Sequence, residues 1–333
     1  MAVYTEVLPQ DVRNLLVQLK LGELQALQGC HSGIENTNYF VTVLDHGQSR
    51  DYVLTLFERL TQTQLPFYLH LMKHLAQRGI LVPDPCPDAD GNLVLTLGGK
   101  PAAMVNRLPG SNAMAPTPVH CAQVAAMLAQ MHLAGQTFSM HQPHLRGLDW
   151  WNPTIPLLLP HLDASQSALI LQELAYQNDL ATTADHAALP RGPIHADLFR
   201  DNVMFDTADG QPVLGGFFDF YFAGVDAWVF DLAVCLNDWC IDPLSGLHHA
   251  PRTMAFIGAY NAVRPLARVE RALLPAMLRA AALRFWVSRL WDFYLPRQAC
   301  LLKAHDPAHF ERVLRHRADM HADYDDLASG LRP

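Results

Sequence analysis

A short polar segment offers the clearest chemistry in this sequence. His195, Asp197 and Asn202 lie close together, and Asp219 follows the next strand-like run. A carboxylate can orient a hydroxyl group and accept its proton, while an amide oxygen and a second carboxylate are suitable ligands for Mg²⁺. Transfer of a phosphoryl group from a nucleotide to a hydroxyl needs both functions. The spacing therefore predicts phosphoryl transfer, with Asp197 as orienting group or base and Asn202 and Asp219 as metal ligands.

Each of these residues alone is also typical of a turn or a helix cap, where Asp and Asn bond the local backbone. Their combination favours catalysis, because strand-like runs at 193–194, 203–205 and 213–214 separate them. We expect His195 to anchor the loop through backbone carbonyls. We expect Asp231, at the start of a helix-like run, to cap that helix or to fix the loop.

The elements before the polar segment predict a small antiparallel sheet with helices. Apolar residues recur at helical spacing in 9–19 and 65–77, and two β-rich runs, 39–44 and 52–57, flank a turn with Gly47. A second hairpin is predicted between 93–97 and 102–105.

The segment 106–118 loses this periodicity and contains Pro109, Pro116 and Pro118, which indicates a connector. Beyond it, helical patterns dominate at 119–134, 167–180 and 273–294. We therefore predict an α+β chain with two lobes, 1–105 and 119–333, joined by 106–118.

Composition narrows the possible functions. Half of the 333 residues are apolar and 17% are charged, which is typical of a folded globular protein. A net charge of -8 without a basic cluster disfavours nucleic acid as a partner. Three aspartates interrupt the most apolar window, 213–236, so no membrane partner is predicted, and a cytoplasmic location is expected. The six cysteines form no CxxC pair, and the oligomeric state is left open.

Several segments together match a known pattern. They are the His-x-Asp loop with Asn202, the pair Asp219-Phe220 and the later Asp231-Leu232-Ala233. In them the chain resembles the superfamily of aminoglycoside phosphotransferases and choline kinases. It resembles homoserine kinases of that superfamily in residues 32–40, 65–69, 219–223, 235–240 and 284–297.

This resemblance implies a bilobal, protein-kinase-like fold whose residues 1–105 bind nucleotide. It implies that the protein uses ATP and Mg²⁺ to phosphorylate the side-chain hydroxyl of L-homoserine, a step of threonine biosynthesis. The expected partner is therefore this small-molecule substrate. The resemblance also implies a turn over the phosphates and backbone contacts to adenine. The nucleotide-binding residues expected in this way are Ser32, Gly33, Asn36, Asn38, Thr55, Met104 and Asn106.

One departure from the superfamily concerns the strand that usually carries a phosphate-binding lysine. Here residues 53–56 contain no lysine, and no acidic residue occurs in 59–81 after Glu58. The usual Lys–Glu pair is therefore not predicted, and Thr55 or Arg59 are candidates for the clamp. The missing lysine also leaves open a catalytically silent nucleotide-binding protein.

A pocket for homoserine needs a cation for the carboxylate and an anion or carbonyl group for the ammonium. Arg284, Asp238 and Tyr221 are the candidates for substrate binding, although Arg284 could equally form an ion pair within its helix. The same catalytic residues would serve a kinase of an aminoglycoside, choline or another amino alcohol. A metal-dependent phosphohydrolase with His195 and Asp231 among its ligands is a further alternative.

Overall fold

The computed structural model describes residues 5–30, 36–295, 305–320 and 324–329. The chain divides into two compact units, Met1–Pro109 and Gly110–Pro333, called unit 1 and unit 2 below. The division falls inside the segment 106–118 that the sequence predicts as a connector. The assignment of nucleotide binding to unit 1 and catalysis to unit 2 stays a prediction.

Unit 1 is built around an antiparallel sheet of five strands in the order β1-β2-β3-β5-β4. Its elements are α1 (Pro9–Leu19), β1 (Glu23–Gly29), β2 (Thr37–Asp45), β3 (Gln48–Leu56), α2 (Leu65–Ala76), β4 (Leu95–Leu97) and β5 (Lys100–Asn106). The hairpin of β2 and β3 turns at His46 and Gly47, which both have positive φ as the tight hairpin turns require.

The core of unit 1 lies between α1 and one face of this sheet. Alternate strand residues such as Val41, Val43 and Leu54 are fully buried there, together with Val12 and Leu16 of α1. Strand residues two apart share a face, and helical residues three or four apart do so as well. The predicted helix at 9–19 and the predicted hairpins are therefore confirmed, whereas β1 is not among the predicted strands.

Unit 2 is mainly helical, with two small antiparallel sheets, β6-β8-β9 and β7-β10. Its strands are β6 (Ser111–Asn112), β7 (Arg191–Ile194), β8 (Val203–Ala208), β9 (Gln211–Phe217) and β10 (Gly224–Ala227). Its helices are α3 (Pro118–Gly135), α4 (Leu148–Leu158), α5 (Ala164–Ala181), α6 (Ala184–Ala187), α7 (Trp228–Trp239), α8 (Ala250–Val263), α9 (Arg268–Tyr294), α10 (Ala308–Asp319) and α11 (Tyr324–Ser329).

The helices α7 and α9 form the centre of unit 2. Every residue of α7 is buried, including the polar Asp231, Asn237 and Asp238. The apolar residues of α9 pack against α7 and α10, and α3 packs against α8. The predicted α+β class is confirmed. Among the described residues, no helix combines the length and the apolar character needed to cross a bilayer.

Candidate active site

A buried carboxylate, that of Asp231, fixes the backbone of the loop that follows β7. Ala196 adopts a left-handed backbone conformation (φ 64°), so the chain reverses direction there. The backbone N–H groups of His195 and Ala196 donate to the two carboxylate oxygens of Asp231, each at 2.8 Å. Asp231 thus fixes the loop that carries Asp197, which is one of the two roles predicted for it.

Asp231 belongs to a buried network that reaches α3 and α8. His132 Nε2 donates to Asp231 Oδ2 (3.2 Å), His132 Nδ1 accepts from the Tyr260 hydroxyl (2.7 Å), and Arg264 donates to the Tyr260 oxygen (3.1 Å). Burial alone would raise the pKa of Asp231, but the hydrogen bonds from His132 and the His195 amide outweigh it and hold the pKa below its ordinary value. The Asp231 carboxylate is therefore ionised, and both of its oxygens accept hydrogen bonds.

His195 joins this loop to the segment that carries Asp219. Its Nε2 donates to the carbonyl oxygen of Phe218 (2.9 Å), and its Nδ1 faces the backbone N–H of Asp197 (3.3 Å). Burial lowers the pKa of His195, in keeping with a neutral ring. The Phe218 N–H in turn donates to the Asn202 carbonyl (3.0 Å). The peptide groups of Phe218 are thus held on both sides.

Asp197 and Asn202 lie together, as the spacing predicts. The side-chain Nδ2 of Asn202 donates to the backbone oxygen of Asp197 (2.8 Å) and lies 3.4 Å from its Oδ2. This leaves the amide oxygen of Asn202 as the atom suited to a hard cation. Asp219 also adopts a left-handed conformation (φ 64°) and follows directly on Phe218. These oxygen-bearing side chains fit a magnesium ion in chemical type.

Arg284 of α9 pairs with the predicted catalytic carboxylate. Its Nη1 lies 3.7 Å from Asp197 Oδ1, and its side chain is only 4% exposed. The guanidinium carbon lies 3.8 Å from the centre of the Phe285 ring and 5.1 Å from that of Phe222. Burial lowers the pKa of Arg284 to about 10, which still leaves it charged at neutral pH.

Asp238 is engaged within unit 2. Its carboxylate accepts from Arg200 Nε (3.0 Å), Nη2 (3.0 Å) and backbone N (2.9 Å). This bidentate pair holds the loop that carries Arg200 against α7. Substrate binding by Asp238 stays a prediction, as does that by Tyr221, which is half-buried after Asp219. The sequence offered no signal for the pairing, because the two residues lie far apart in the chain.

The predicted nucleotide-binding residues lie in unit 1. Ser32 and Gly33 lie outside the described residues, and Asn36 is half-buried just before β2. Asn38 and Thr55 face each other on β2 and β3, with a 2.7 Å hydrogen bond from the hydroxyl to the amide oxygen. They share the sheet face opposite the α1 core.

Met104 and Asn106, the residues predicted to contact adenine, already have partners within unit 1. The Met104 side chain is buried in the core and its carbonyl accepts from the Cys86 N–H (2.8 Å). The Asn106 side chain accepts from the Asp84 N–H (2.5 Å). Both bonds hold the segment that leads into β4, and nucleotide contact by these residues stays a prediction.

Sequence reasoning missed a Lys–Glu pair that unit 1 does contain. Lys100 Nζ bonds Glu58 Oε2 and also donates to Thr5 (2.7 Å), while Thr37 donates to Glu58 (2.6 Å). Glu58 follows β3, as predicted, but the lysine begins β5 rather than lying in β3. The Gly98-Gly99 turn is the sequence feature that could have indicated this pair. It places Lys100 at the start of β5, which lies beside the end of β3.

Comparison with known proteins assigns this chain to a family. Residues 26–266 match the model of the phosphotransferase enzyme family. The chain belongs to the phosphotransferase enzyme family. It is 61% identical over 317 residues to the homoserine kinase of Polaromonas naphthalenivorans, covering 95% of this chain and 98% of that protein. It is 56% identical over 328 residues to the homoserine kinase of Cupriavidus pinatubonensis, covering 98% and 99%.

Solved structures have the same fold at low sequence identity. An amicoumacin kinase in complex with AMP-PNP and Ca²⁺ has a TM-score of 0.69 at 17% identity, covering 96% of this chain and 97% of that one. A choline kinase from Cryptosporidium parvum has a TM-score of 0.60 at 12% identity, covering 88% of each chain. The family match and the curated relatives confirm the resemblance to phosphotransferases and homoserine kinases, and the solved structures show that the fold is shared with a choline kinase.

Proposed function

We propose that this protein is a homoserine kinase, which transfers the terminal phosphoryl group of ATP to the side-chain hydroxyl of L-homoserine in threonine biosynthesis. The observation that carries the proposal is the position of Asp197, between the amide of Asn202 and the guanidinium of Arg284 on a loop fixed by Asp231. High identity to homoserine kinases over nearly the whole chain supports the choice of substrate.

In this proposal Asp197 orients the acceptor hydroxyl. As the new O–P bond forms, the hydroxyl proton passes to the carboxylate, and the bond to the leaving ADP oxygen breaks. The side chain of Asn202 holds the Asp197 backbone oxygen in place, and Arg284 lies beside the Asp197 carboxylate as its counter-ion. Catalysis thus depends on positioning, since little covalent chemistry is left to the protein.

Asn202 and Asp219 would hold Mg²⁺ through the amide oxygen and a carboxylate. The ion, when bound, neutralises charge on the nucleotide phosphates. His195 keeps the two segments in register through Phe218. Asn38 and Thr55, together with the other predicted residues of unit 1, would contact the nucleotide.

The phosphohydrolase alternative is disfavoured by the partners of its expected ligands. Both ring nitrogens of His195 face backbone groups, and both oxygens of Asp231 accept hydrogen bonds. Ligation of a metal by either side chain would break the loop anchor. The kinase proposal uses both residues as they are observed.

A coupled assay of ADP release tests the proposal. We expect turnover with L-homoserine and ATP in the presence of Mg²⁺, and much weaker turnover with L-serine, choline, ethanolamine or an aminoglycoside. A preference for one of the other acceptors would overturn the substrate. Binding of ATP without ADP release for any acceptor would instead indicate a silent nucleotide-binding protein.

A further inference from the structure

Arg284 carries buried hydrogen-bond donors without protein partners. In the part of the chain that the structure describes, its Nε and Nη2 atoms are inaccessible to solvent and have no hydrogen-bond partner. The residue as a whole is 3% exposed. Buried polar groups are nearly always hydrogen-bonded, and a buried guanidinium with open donors is costly in free energy. Such an arrangement needs an explanation.

The identity of these two atoms is informative. Nε and Nη2 lie on the same edge of the planar guanidinium, so their N–H groups point in one direction as a fork. Such a fork matches the two oxygens of a carboxylate, which can accept both hydrogen bonds in parallel. The remaining nitrogen, Nη1, is the one nearest Asp197. One side chain thus carries two buried donors without a hydrogen-bond partner among the described residues, beside the group proposed to bind the acceptor hydroxyl.

We infer that the Nε and Nη2 edge of Arg284 binds the α-carboxylate of the acceptor, and so selects hydroxy amino acids over amino alcohols. This inference rests on the proposed function. It names the group that would separate a homoserine substrate from an acceptor that has only an amine and a hydroxyl.

The dimensions of homoserine suit this placement. Four bonds separate its hydroxyl oxygen from its carboxyl carbon, a span of about 5 Å when the chain is extended. Asp197 Oδ1 lies 3.7 Å from Nη1, and a hydrogen bond of about 2.8 Å is needed at each end of the substrate. These lengths are of the size needed for a short hydroxy acid to place its hydroxyl at Asp197 and its carboxylate at the Arg284 guanidinium.

A second open donor occurs on the same face of α9. Trp291 lies two helical turns beyond Arg284, and its Nε1 is also buried without a hydrogen-bond partner among the described residues. Phe222 and Phe285 lie against the guanidinium and limit its contact with water. In such surroundings a charged hydrogen bond to a carboxylate is stronger than in solvent.

Arg289, on the same helix, is the matched control. Its Nη1 lies 3.4 Å from the Asp306 carbonyl, and its guanidinium stacks 4.4 Å from the centre of the Phe310 ring. Replacing either arginine with glutamine removes one positive charge from α9. Only Arg284→Gln removes the open fork.

The test compares L-homoserine with 3-aminopropan-1-ol, which is the same molecule without the carboxylate. For Arg284→Gln we expect kcat/KM for homoserine to fall roughly 100-fold, as for a buried charge pair that loses one partner. The value for 3-aminopropan-1-ol should fall about 10-fold less than the value for homoserine, because that acceptor loses only the charge beside Asp197 and never contacts the fork. Arg284→Lys should behave similarly, since it keeps the charge but lacks the fork, and Arg289→Gln should leave the ratio of the two substrates unchanged.

Inhibition by L-2-aminobutanoate, which has the carboxylate but no hydroxyl, gives a second measurement. We expect its inhibition constant to rise in parallel with the homoserine effect in Arg284→Gln, with KM for ATP unchanged. Equal loss for both acceptors, or a raised KM for ATP, would overturn the inference in favour of a role on the phosphoryl group or in folding. So would a change in the substrate ratio caused by Arg289→Gln alone. Wild-type protein that does not phosphorylate homoserine would instead contradict the proposed function.

Discussion

Asp231 and Arg284 are both charged and both withdrawn from solvent, yet their hydrogen-bonding groups are satisfied to different degrees. Asp231 accepts from two backbone amides and from His132, and it is 0% exposed. Arg284 has an ion pair at 3.7 Å and two donors without partners among the described residues. Both charges lie next to the same loop.

The difference is the one expected between a charge that stabilises the fold and a charge that, as we infer for Arg284, binds a ligand. A buried ion whose hydrogen bonds are complete stabilises one conformation, and removing its partner is costly. A buried ion with open donors holds them ready for a group that arrives later. Unit 2 thus has a carboxylate with complete hydrogen bonds against the Asp197 loop, and a guanidinium with two donors unpaired among the described residues beside Asp197.

The largest expected effect concerns Asp197, where the two regions meet. Asp197→Asn should lower kcat at least ~10³-fold, because positioning of the hydroxyl and acceptance of its proton are both lost. The melting temperature should stay close to that of the wild type. Asp201→Asn, an exposed carboxylate in the same loop, is the control and should keep near-normal kcat. An Asp197→Asn protein that is folded and keeps near-normal kcat would contradict the mechanism.

Removing the fixed charge should affect stability more than any other change considered for unit 2. Asp231→Asn leaves two backbone amides with a single acceptor, and we expect the free energy of unfolding in urea to fall by about 3 kcal/mol. Asp226→Asn serves as comparison, since the Asp226 side chain is 25% exposed and pairs with Arg191 and His144. A smaller loss for Asp231 than for Asp226 would show that the network does not hold the loop.

The same network predicts a pH dependence of stability. Burial lowers the pKa of His132 and of His195 below the ordinary value, so the unfolded chain binds more protons than the folded one when the pH falls below about 6.5. The free energy of unfolding should therefore decrease between pH 7.5 and 5.5, by at most ~1.4 kcal/mol per pH unit for each histidine. The lowered pKa of Asp231 adds a further loss below about pH 4.

Urea unfolding at several pH values measures this slope. His132→Gln should flatten it, because one buried titrating ring is removed. His46→Gln should not, since that side chain is 98% exposed. An equal slope in all three proteins would rule out His132 as a source of the pH dependence.

A smaller effect is expected at the outer end of the network. Tyr260→Phe removes the hydroxyl that links His132 to Arg264, and should cost about 1–2 kcal/mol of unfolding free energy with kcat unchanged. A large fall in kcat would mean that the network controls the position of Asp197 as well as stability.

The smallest expected effect lies in unit 1. The Lys100 side chain is 37% exposed and pairs with Glu58, so Lys100→Met should change the unfolding free energy by less than about 1 kcal/mol. Titration with ATP separates two roles of this pair. Unchanged ATP affinity would identify a local structural pair, which is our expectation, and a loss of affinity would make Lys100 the missing phosphate clamp.

Local patterns in the sequence predicted much of this molecule. The apolar spacing of Val12, Leu15 and Leu16 defined α1, and turn residues defined the hairpin of β2 and β3. The spacing of Asp197 and Asn202 also predicted that they lie on one loop. In each of these cases the information lies within a few neighbouring residues.

Partners that come from distant positions were not predictable in this way. The carboxylate of Asp238 is paired with Arg200, and Lys100 reaches Glu58 from another strand. The strand β1 was missed because its residues show no clear apolar alternation, and it is fixed by pairing with β2. Tertiary contacts determine these pairings and this strand, and the apolar periodicity of the sequence does not indicate them.

The hydrogen bonds that His195 and Asn202 form with the Phe218 backbone bear on how acceptor choice can vary among related enzymes. Hydrogen bonds to Phe218 link the segment that precedes Asp219 to the loop that carries Asp197 and Asn202, so the three positions proposed for catalysis are held together. Arg284 comes from a separate helix and lies beside Asp197 and the Phe222 ring. If Arg284 selects the acceptor as we infer, variation along α9 would change the choice of acceptor without altering the loop that carries Asp197.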